Sequence, residues 1–332
     1  MHLRAGVWTD AFSALPLKIK AALLSMLVFT VGIGALAWHV ARGLHEDFET
    51  LTGHEQATAA SFLARTLDAE LRFRLDTLNV MAEHIAALPE PSPRAVQDYL
   101  LTQPMANRLF TRDVYVIRSY GERIAESPVR GHVGSQYRDT AYFARLMASR
   151  KPVIRVWFGR FARQPVLLVA VPIIDRHGNL LGAMCGAELI EKGSHFYLTE
   201  EVRNGQTGGF HVYALEQRIF AASTDASRVL RPLPAPVVNP LLDRRLGEGY
   251  MGPGRTVDSK SVDLISAAAP VMDGQWLVVS YLPTAEAFAP LRAATSRIYG
   301  GAALAALLSG ALIWFGLRRA LLPLERATQR IG

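Results

Sequence analysis

The chain has 332 residues, with 36 basic against 29 acidic for a net charge of +7; half its residues are apolar, its mean hydropathy is +0.15, and it has one cysteine. A lone thiol excludes an internal disulfide framework, so any folded domain must rest on its own core. The charge is not spread as a nucleic-acid surface requires: residues 1–20 carry +2 and residues 318–332 carry +3, leaving +2 for everything between.

Residues 21–40 are apolar with His39 as their ionisable side chain, and residues 298–317 contain no charged one. A helix of about twenty residues crosses the hydrocarbon core, so both stretches are expected to be transmembrane helices. A cleavable signal is the alternative for the first. Its apolar run exceeds the roughly 7–15 residues of a signal core and continues past Ala35-Leu36-Ala37 to Val40, which favours an uncleaved anchor. Arg4, Lys18 and Lys20 precede the first span, and Arg318, Arg319, Arg326 and Arg330 follow the second. Both ends are therefore expected in the cytoplasm, with residues 41–297 outside. For a bacterial inner-membrane protein that outer part is periplasmic.

Between the spans, residues 41–88 read as a stalk helix. Leu71, Leu75, Leu78, Met81, Ala82, Ile85 and Leu88 recur at steps of three and four, and no proline interrupts residues 41–88 before Pro89. At about 1.5 Å per residue this helix is roughly 70 Å long, more than one small domain needs and suited to pairing with a second copy. Pro89, Pro91 and Pro93 end it, since proline lacks the amide donor and disfavours helix before it. A short helix at 94–101 and strands at 113–118 and 123–127 follow, the latter joined by Ser119-Tyr120-Gly121-Glu122. A helix at 137–150 precedes strands at 153–158, 166–174 and 180–189, the last two joined by the turn Asp175-Arg176-His177-Gly178-Asn179.

A second, shorter round follows the same strand–turn–strand grammar without an alignable repeat. Its strands are expected at 210–214, 219–222, 262–270 and 276–281, with a proline-rich loop at 231–240, a small helix at 240–246 and extended Thr256-Val257. Residues 284–297 read as a helix running straight into the second span. The expected class is α+β: a stalk helix and two antiparallel-sheet modules, at 89–200 and 201–283, flanked by two membrane helices.

This order resembles the double Cache sensor domains, the PAS-like tandem modules of bacterial transmembrane receptors. The resemblance covers about residues 41–290. It rests on the aromatic pair in Thr140-Ala141-Tyr142-Phe143, on Gln164-Pro165-Val166-Leu167-Leu168-Val169-Ala170-Val171-Pro172-Ile173, and on the following Gly178 and Leu181-Gly182-Ala183. In the second module, residues 205–210, Thr224-Asp225-Ala226-Ser227-Arg228-Val229-Leu230 and Leu282-Pro283-Thr284-Ala285-Glu286-Ala287-Phe288 are similar to sensor regions of diguanylate cyclases. Leu322-Pro323-Leu324-Glu325 is similar to the start of a HAMP linker.

The resemblance implies a small-molecule pocket in the membrane-distal module, lined by Tyr115, Arg138, Thr140, Tyr142, Phe143, Trp157 and Glu188. In the amino-acid-binding branch an arginine two residues before the aromatic pair holds the ligand carboxylate, and an aspartate late in the last pocket strand holds its amine. Thr140 stands at the first position, with Arg138 nearby, and Glu188 at the second. These departures leave a carboxylate or amine metabolite open as ligand. As residues alone, Glu188 contacts a ligand ammonium, a neighbouring arginine, or solvent at a strand end. Tyr142 and Phe143 are equally pocket walls or core, and Arg155, Arg160 and Arg163 equally an anion cluster or a solvated strand edge.

Scattered histidines and a single cysteine offer no metal-ligand spacing, and no nucleophile, phosphate loop or cofactor motif stands out. The expectation is the sensory half of a homodimeric receptor, without enzymatic activity of its own. A cyclic-di-GMP enzyme beyond Gly332 is the expected output, with a chemoreceptor or histidine kinase as alternatives. A two-span co-polymerase-type membrane protein and an anchored hydrolase are the rival classes; alternating short strands and the lack of a catalytic cluster weigh against them.

Overall fold

A computed structural model describes residues 17–328 apart from 90, 195 and 199–202. The expectations placed on the first sixteen residues and on 329–332 lie outside the described residues. Helix α1 runs unbroken over Leu17–Ala86, so the first apolar segment and the stalk are one element. Helices α2 (Pro93–Leu101) and α3 (Pro104–Leu109) follow, then β1 (Asp113–Arg118), β2 (Arg123–Ser127), α4 (Ala141–Ser149), β3 (Val153–Phe158), β4 (Pro165–Ile174) and β5 (Leu180–Leu189). The second round is β6 (Gly209–Ala214), β7 (Ile219–Ser223), α5 (Pro240–Glu248), β8 (Gly254–Val257), β9 (Asp263–Val271) and β10 (Trp276–Pro283). Helices α6 (Thr284–Ala287) and α7 (Ala289–Thr328) close the chain.

Each round is a five-stranded antiparallel sheet, ordered β2-β1-β5-β4-β3 in the first and β7-β6-β10-β9-β8 in the second. Numbered within its own round, each sheet has the same 2-1-5-4-3 order. Duplication is therefore plain in topology although it is silent in sequence. The expected helix at 137–150 is shorter, starting at Ala141 with Thr140 as N-cap, because residues 137–140 form a turn in which the Thr140 amide donates to Tyr137 O. The helix at 284–297 is broken, α6 ending at Ala287 and α7 starting at Ala289. Helix α3 was not anticipated; Pro104 at its first position favours a helix start there.

The chain divides into two compact units. One holds the described residues up to Leu51 and from Phe288 onward; the other is Thr52–Ala287. In the first, the ring of His45 stacks on Phe288 at 4.7 Å, and Gly310 lies against the Met26 side chain, where a β-carbon would stand 2.9 Å from the methyl carbon. Both helices of this unit are long and apolar enough to cross a membrane, and Leu24, Phe29, Trp38, Leu307, Leu312 and Phe315 are exposed on them.

In the second unit the stalk lies between apolar faces. Ala60, Ala64, Leu67 and Leu71 pack with Val156 and Leu167 of the first sheet and with Phe210, Val212, Trp276 and Val278 of the second. Farther along, Leu78, Met81, Ala82 and Ile85 pack with Val96, Leu100, Phe110 and strand residues such as Val169 and Met184. Gly186 on β5 is required for this closure, since a β-carbon would lie 2.5 Å from the Phe110 ring. The opposite face of each sheet is capped by that module's own helix, α4 over the first and α5 over the second.

Candidate ligand-binding sites

Strand alternation decides which side chains reach the inner face of the first sheet. Asp113, Tyr115 and Ile117 share one face of β1, and across the ladder Cys185 opposes Tyr115 while Ala187 opposes Asp113. Tyr142 from α4 descends on them, its hydroxyl 3.2 Å from that of Tyr115, and Trp157 of β3 meets the Tyr142 ring edge-on at 5.1 Å. Tyr137 completes the cluster at 5.6 Å from Tyr115. Phe143 is buried beside them in the core beneath α4. Burial drives the Tyr115 and Tyr142 hydroxyls well above the usual phenol range, so both stay protonated.

The charge at this site comes from residues not singled out in the sequence. Arg123, the first residue of β2, is buried with its guanidinium 4.1 Å over the Tyr115 ring. Its Nη2 lies 2.8 Å from Asp113 Oδ2 and 2.7 Å from Glu126 Oε2, and its Nη1 donates to the Tyr137 hydroxyl at 3.3 Å. Burial opposes the Arg123 charge, but the Asp113 carboxylate more than compensates and raises its pKa. Burial likewise pushes the Glu126 carboxyl up, and the amides of Arg130 and His132, with Arg123 and Gly131, outweigh it and hold it low. The available signal was period two along β1, which puts Asp113 on the face of Tyr115; pairing with Arg123 depends on hairpin register.

Other predicted residues stand elsewhere. Arg138 is exposed beside Gly121, and Thr140 is half-buried with its hydroxyl donating to Tyr137 O at 2.7 Å, a bond local to the turn. Glu188 is on the opposite face of β5 from Cys185 and Ala187, so the expectation that it lines the pocket is corrected. It meets Arg74 of the stalk, Nη2 to Oε2 at 2.8 Å, and accepts from Ser194 Oγ at 2.8 Å. Arg74 also pairs with Glu70. Of the three arginines around Trp157, Arg155 pairs with Glu216 of the second module at 2.7 Å and Arg160 with Asp139 at 3.4 Å, while Arg163 takes a left-handed turn conformation.

The room in the two modules differs. Among Asp113, Arg123, Tyr137 and Trp157 the distal cavity measures about 40 Å³. On the inner face of the second sheet lies a cavity of about 1080 Å³, lined among others by His211, Tyr213, Tyr281, Arg228 and Arg245. Ligand pockets commonly span about 300–1,000 Å³, so of these two cavities the second is the one with room for a metabolite as it stands.

The family model for the Cache domain matches residues 40–291. The chain belongs to the Cache domain family. Its tandem sheets are also those of solved structures. The ligand-binding domain of the Pseudomonas aeruginosa amino acid chemoreceptor PctC, in complex with GABA, superposes with a TM-score of 0.54 at 17% identity, covering 70% of this chain and 99% of that one. That of the Pseudomonas fluorescens chemoreceptor CtaA, in complex with L-serine, gives 0.54 at 15% identity, covering 72% and 99%. The extracellular domain of rpHK1S-Z16, assigned as a histidine kinase, gives 0.60 at 17% identity, covering 70% and 95%. At these identities the likeness is one of fold. No curated protein matches this Cache chain by sequence.

Proposed function

We propose that this Cache chain is the sensory part of a bacterial inner-membrane receptor, reporting a small molecule outside the membrane to an output inside. The observation that carries the reading is continuity. The stalk grows out of one apolar helix, packs on both sheets, and the last strand of the second module leads through α6 into the other apolar helix. The basic flanks support both termini in the cytoplasm, with residues 41–297 periplasmic. A ligand that favours one arrangement of the modules shifts the population of the helices leading inward. The stalk's length supports a homodimer as the signalling form.

In the distal module, Arg123 stands with Asp113 and Glu126 beside Tyr115, Tyr142 and Trp157, so that a cation and carboxylates face the two ends of a zwitterion such as an amino acid. The solved neighbours include GABA and L-serine complexes, which supports that class. Entry requires the aromatic cluster to part, because the space between these groups is small. Arg138, Thr140 and Phe143 act as the frame of that cluster. The second-module segments similar to cyclase sensors favour cyclic-di-GMP synthesis or breakdown as the output. The reading frame past Gly332 tests this: a kinase or methyl-accepting segment there would replace it.

Thermal unfolding of the full chain in detergent, against a panel of amino acids and small carboxylates, tests the sensing reading. At least one compound is expected to raise Tm saturably, and Trp157→Ala and Tyr142→Phe to weaken that response. A panel without a stabilising member would overturn it.

A further inference from the structure

We infer that the cavity of the second, membrane-proximal module is a separate binding site for an aromatic or conjugated carboxylate, with Arg245 as the group that receives the anion. Among the described residues, five basic side chains against two acidic line this space. At its rim the charges are matched: Arg228 Nη2 lies 2.8 Å from Asp258 Oδ2, and Lys260 Nζ lies 2.8 Å from Asp225 Oδ2. Arg245 differs. It is 4% exposed on the cavity side of α5, and among the described residues its guanidinium donates only to neutral acceptors. These are Ser266 Oγ at 3.1 Å, Ser266 O at 2.9 Å and Gly252 O at 3.4 Å, while its Nε finds no partner.

No carboxylate among the described residues lies within ion-pair distance of Arg245. A buried charge without a counter-charge is costly, and where it borders an open cavity an incoming anion supplies the missing partner. Burial pushes the Arg245 guanidinium down to about 10, which still leaves it charged at neutral pH.

The floor of the cavity determines the rest of the ligand. His211 stacks on Tyr281 at 4.5 Å, and Phe220 meets the His211 ring edge-on at 5.2 Å. Burial lowers the His211 pKa to about 3, so this shelf is uncharged at neutral pH and suits a planar apolar body. An amino acid is disfavoured here because, among the described residues, no carboxylate stands beside Arg245 to receive its ammonium group. In the distal module Asp113 and Glu126 stand beside Arg123, which gives the opposite preference. Binding at Arg245 therefore does not depend on the distal module holding a ligand.

Benzoate is the probe, with neutral benzamide as its isostere and acetate as the anion lacking a ring, titrated calorimetrically into the full chain in detergent. Benzoate is expected to bind saturably and more tightly than either. Arg245→Gln should weaken it by at least about tenfold, the scale of a lost charge-assisted hydrogen bond, and Arg245→Lys should restore part of it. Should Arg245→Gln not fold, Tyr281→Leu on the cavity floor takes its place, with an expected loss of about threefold from the missing ring contact. Benzamide binding as well as benzoate would overturn the assignment. So would benzoate binding that survives Arg245→Gln but is lost in Trp157→Ala, which would place the anion in the distal module.

Discussion

Arg74 and Glu188 are each buried to 2–3% side-chain exposure, one on the stalk and one on the central strand β5. Two such ions are tolerated because each completes the other, with Ser194 and Glu70 taking remaining valences. Removing one partner leaves an uncompensated charge in the core. Arg74→Met should therefore destabilise the domain by about 3–5 kcal/mol, and Arg74→Met with Glu188→Gln by much less. Denaturant melts of the two variants and the parent provide the comparison. A single-variant loss no larger than the double would show that the pair is not the cause.

His211 gives the residue scale a pH dependence. The unfolded chain takes up a proton near the usual histidine pKa of about 6.5, whereas burial holds the folded ring at about 3. Below roughly pH 6.5 the unfolded state thus binds the extra proton, and stability falls as pH drops toward 3, by up to about 1.4 kcal/mol per pH unit. The contribution is fully present above pH 6.5. His211→Gln should flatten that part of the Tm–pH curve relative to the parent; identical slopes would rule out His211 as its source.

At the scale of elements, Glu286 of α6, directly after β10, ties down the loop at 205–208. Its carboxylate accepts from the Gln206 amide at 2.6 Å and the Thr207 amide at 2.8 Å, and from the Thr207 hydroxyl. Burial pushes the Glu286 carboxyl up, but these donors outweigh it and keep it below the ordinary glutamate range. Glu286→Ala leaves two amides without their acceptor and unties the 205–208 loop from α6. Hydrogen exchange at Gln206 and Thr207 should then accelerate by about fivefold or more, the equivalent of one modest hydrogen bond. Unchanged protection would mean that the loop is ordered by other contacts.

The two modules are also tied edge to edge. Gln217, in the β6–β7 turn, donates to Val156 O at 2.8 Å and accepts from Val156 N at 3.1 Å, giving the edge strand β3 a backbone-like partner. Glu216 beside it takes Arg145 and Arg155 from the first module. Arg155, read from sequence as either an anion ligand or a solvated edge, is instead a tether between modules.

On the scale of the molecule, the class of fold, the order of its elements and the two long apolar helices follow from local properties. Periodic apolar residues on the stalk, proline at its end, and Asp175 through Asn179 at the β4–β5 turn act within a few residues of themselves. The turn shows this directly: Asp175 accepts from the amides of His177 and Asn179, both at 2.8 Å. That Tyr115, Tyr142 and Trp157 would cluster was legible for a related reason, since these aromatic side chains are conspicuous on short elements. Glu188 was misplaced because β5 is buried on both faces. Its near-continuous apolar run lacks the polar alternation that would say which side chains face the cap and which the stalk. The Arg74–Glu188 and Arg123–Asp113 pairs join residues whose meeting depends on helix docking and strand register, which no local pattern encodes. The same holds for the cavities. Tyrosine rings nearly fill the space under α4, while beside α5 Arg245 borders a large open volume, an outcome of packing between elements. Local sequence pattern thus suffices for a tandem sensor-like domain between two apolar helices; the room for a ligand, and the buried charge left without a counter-charge, arise from how distant elements pack.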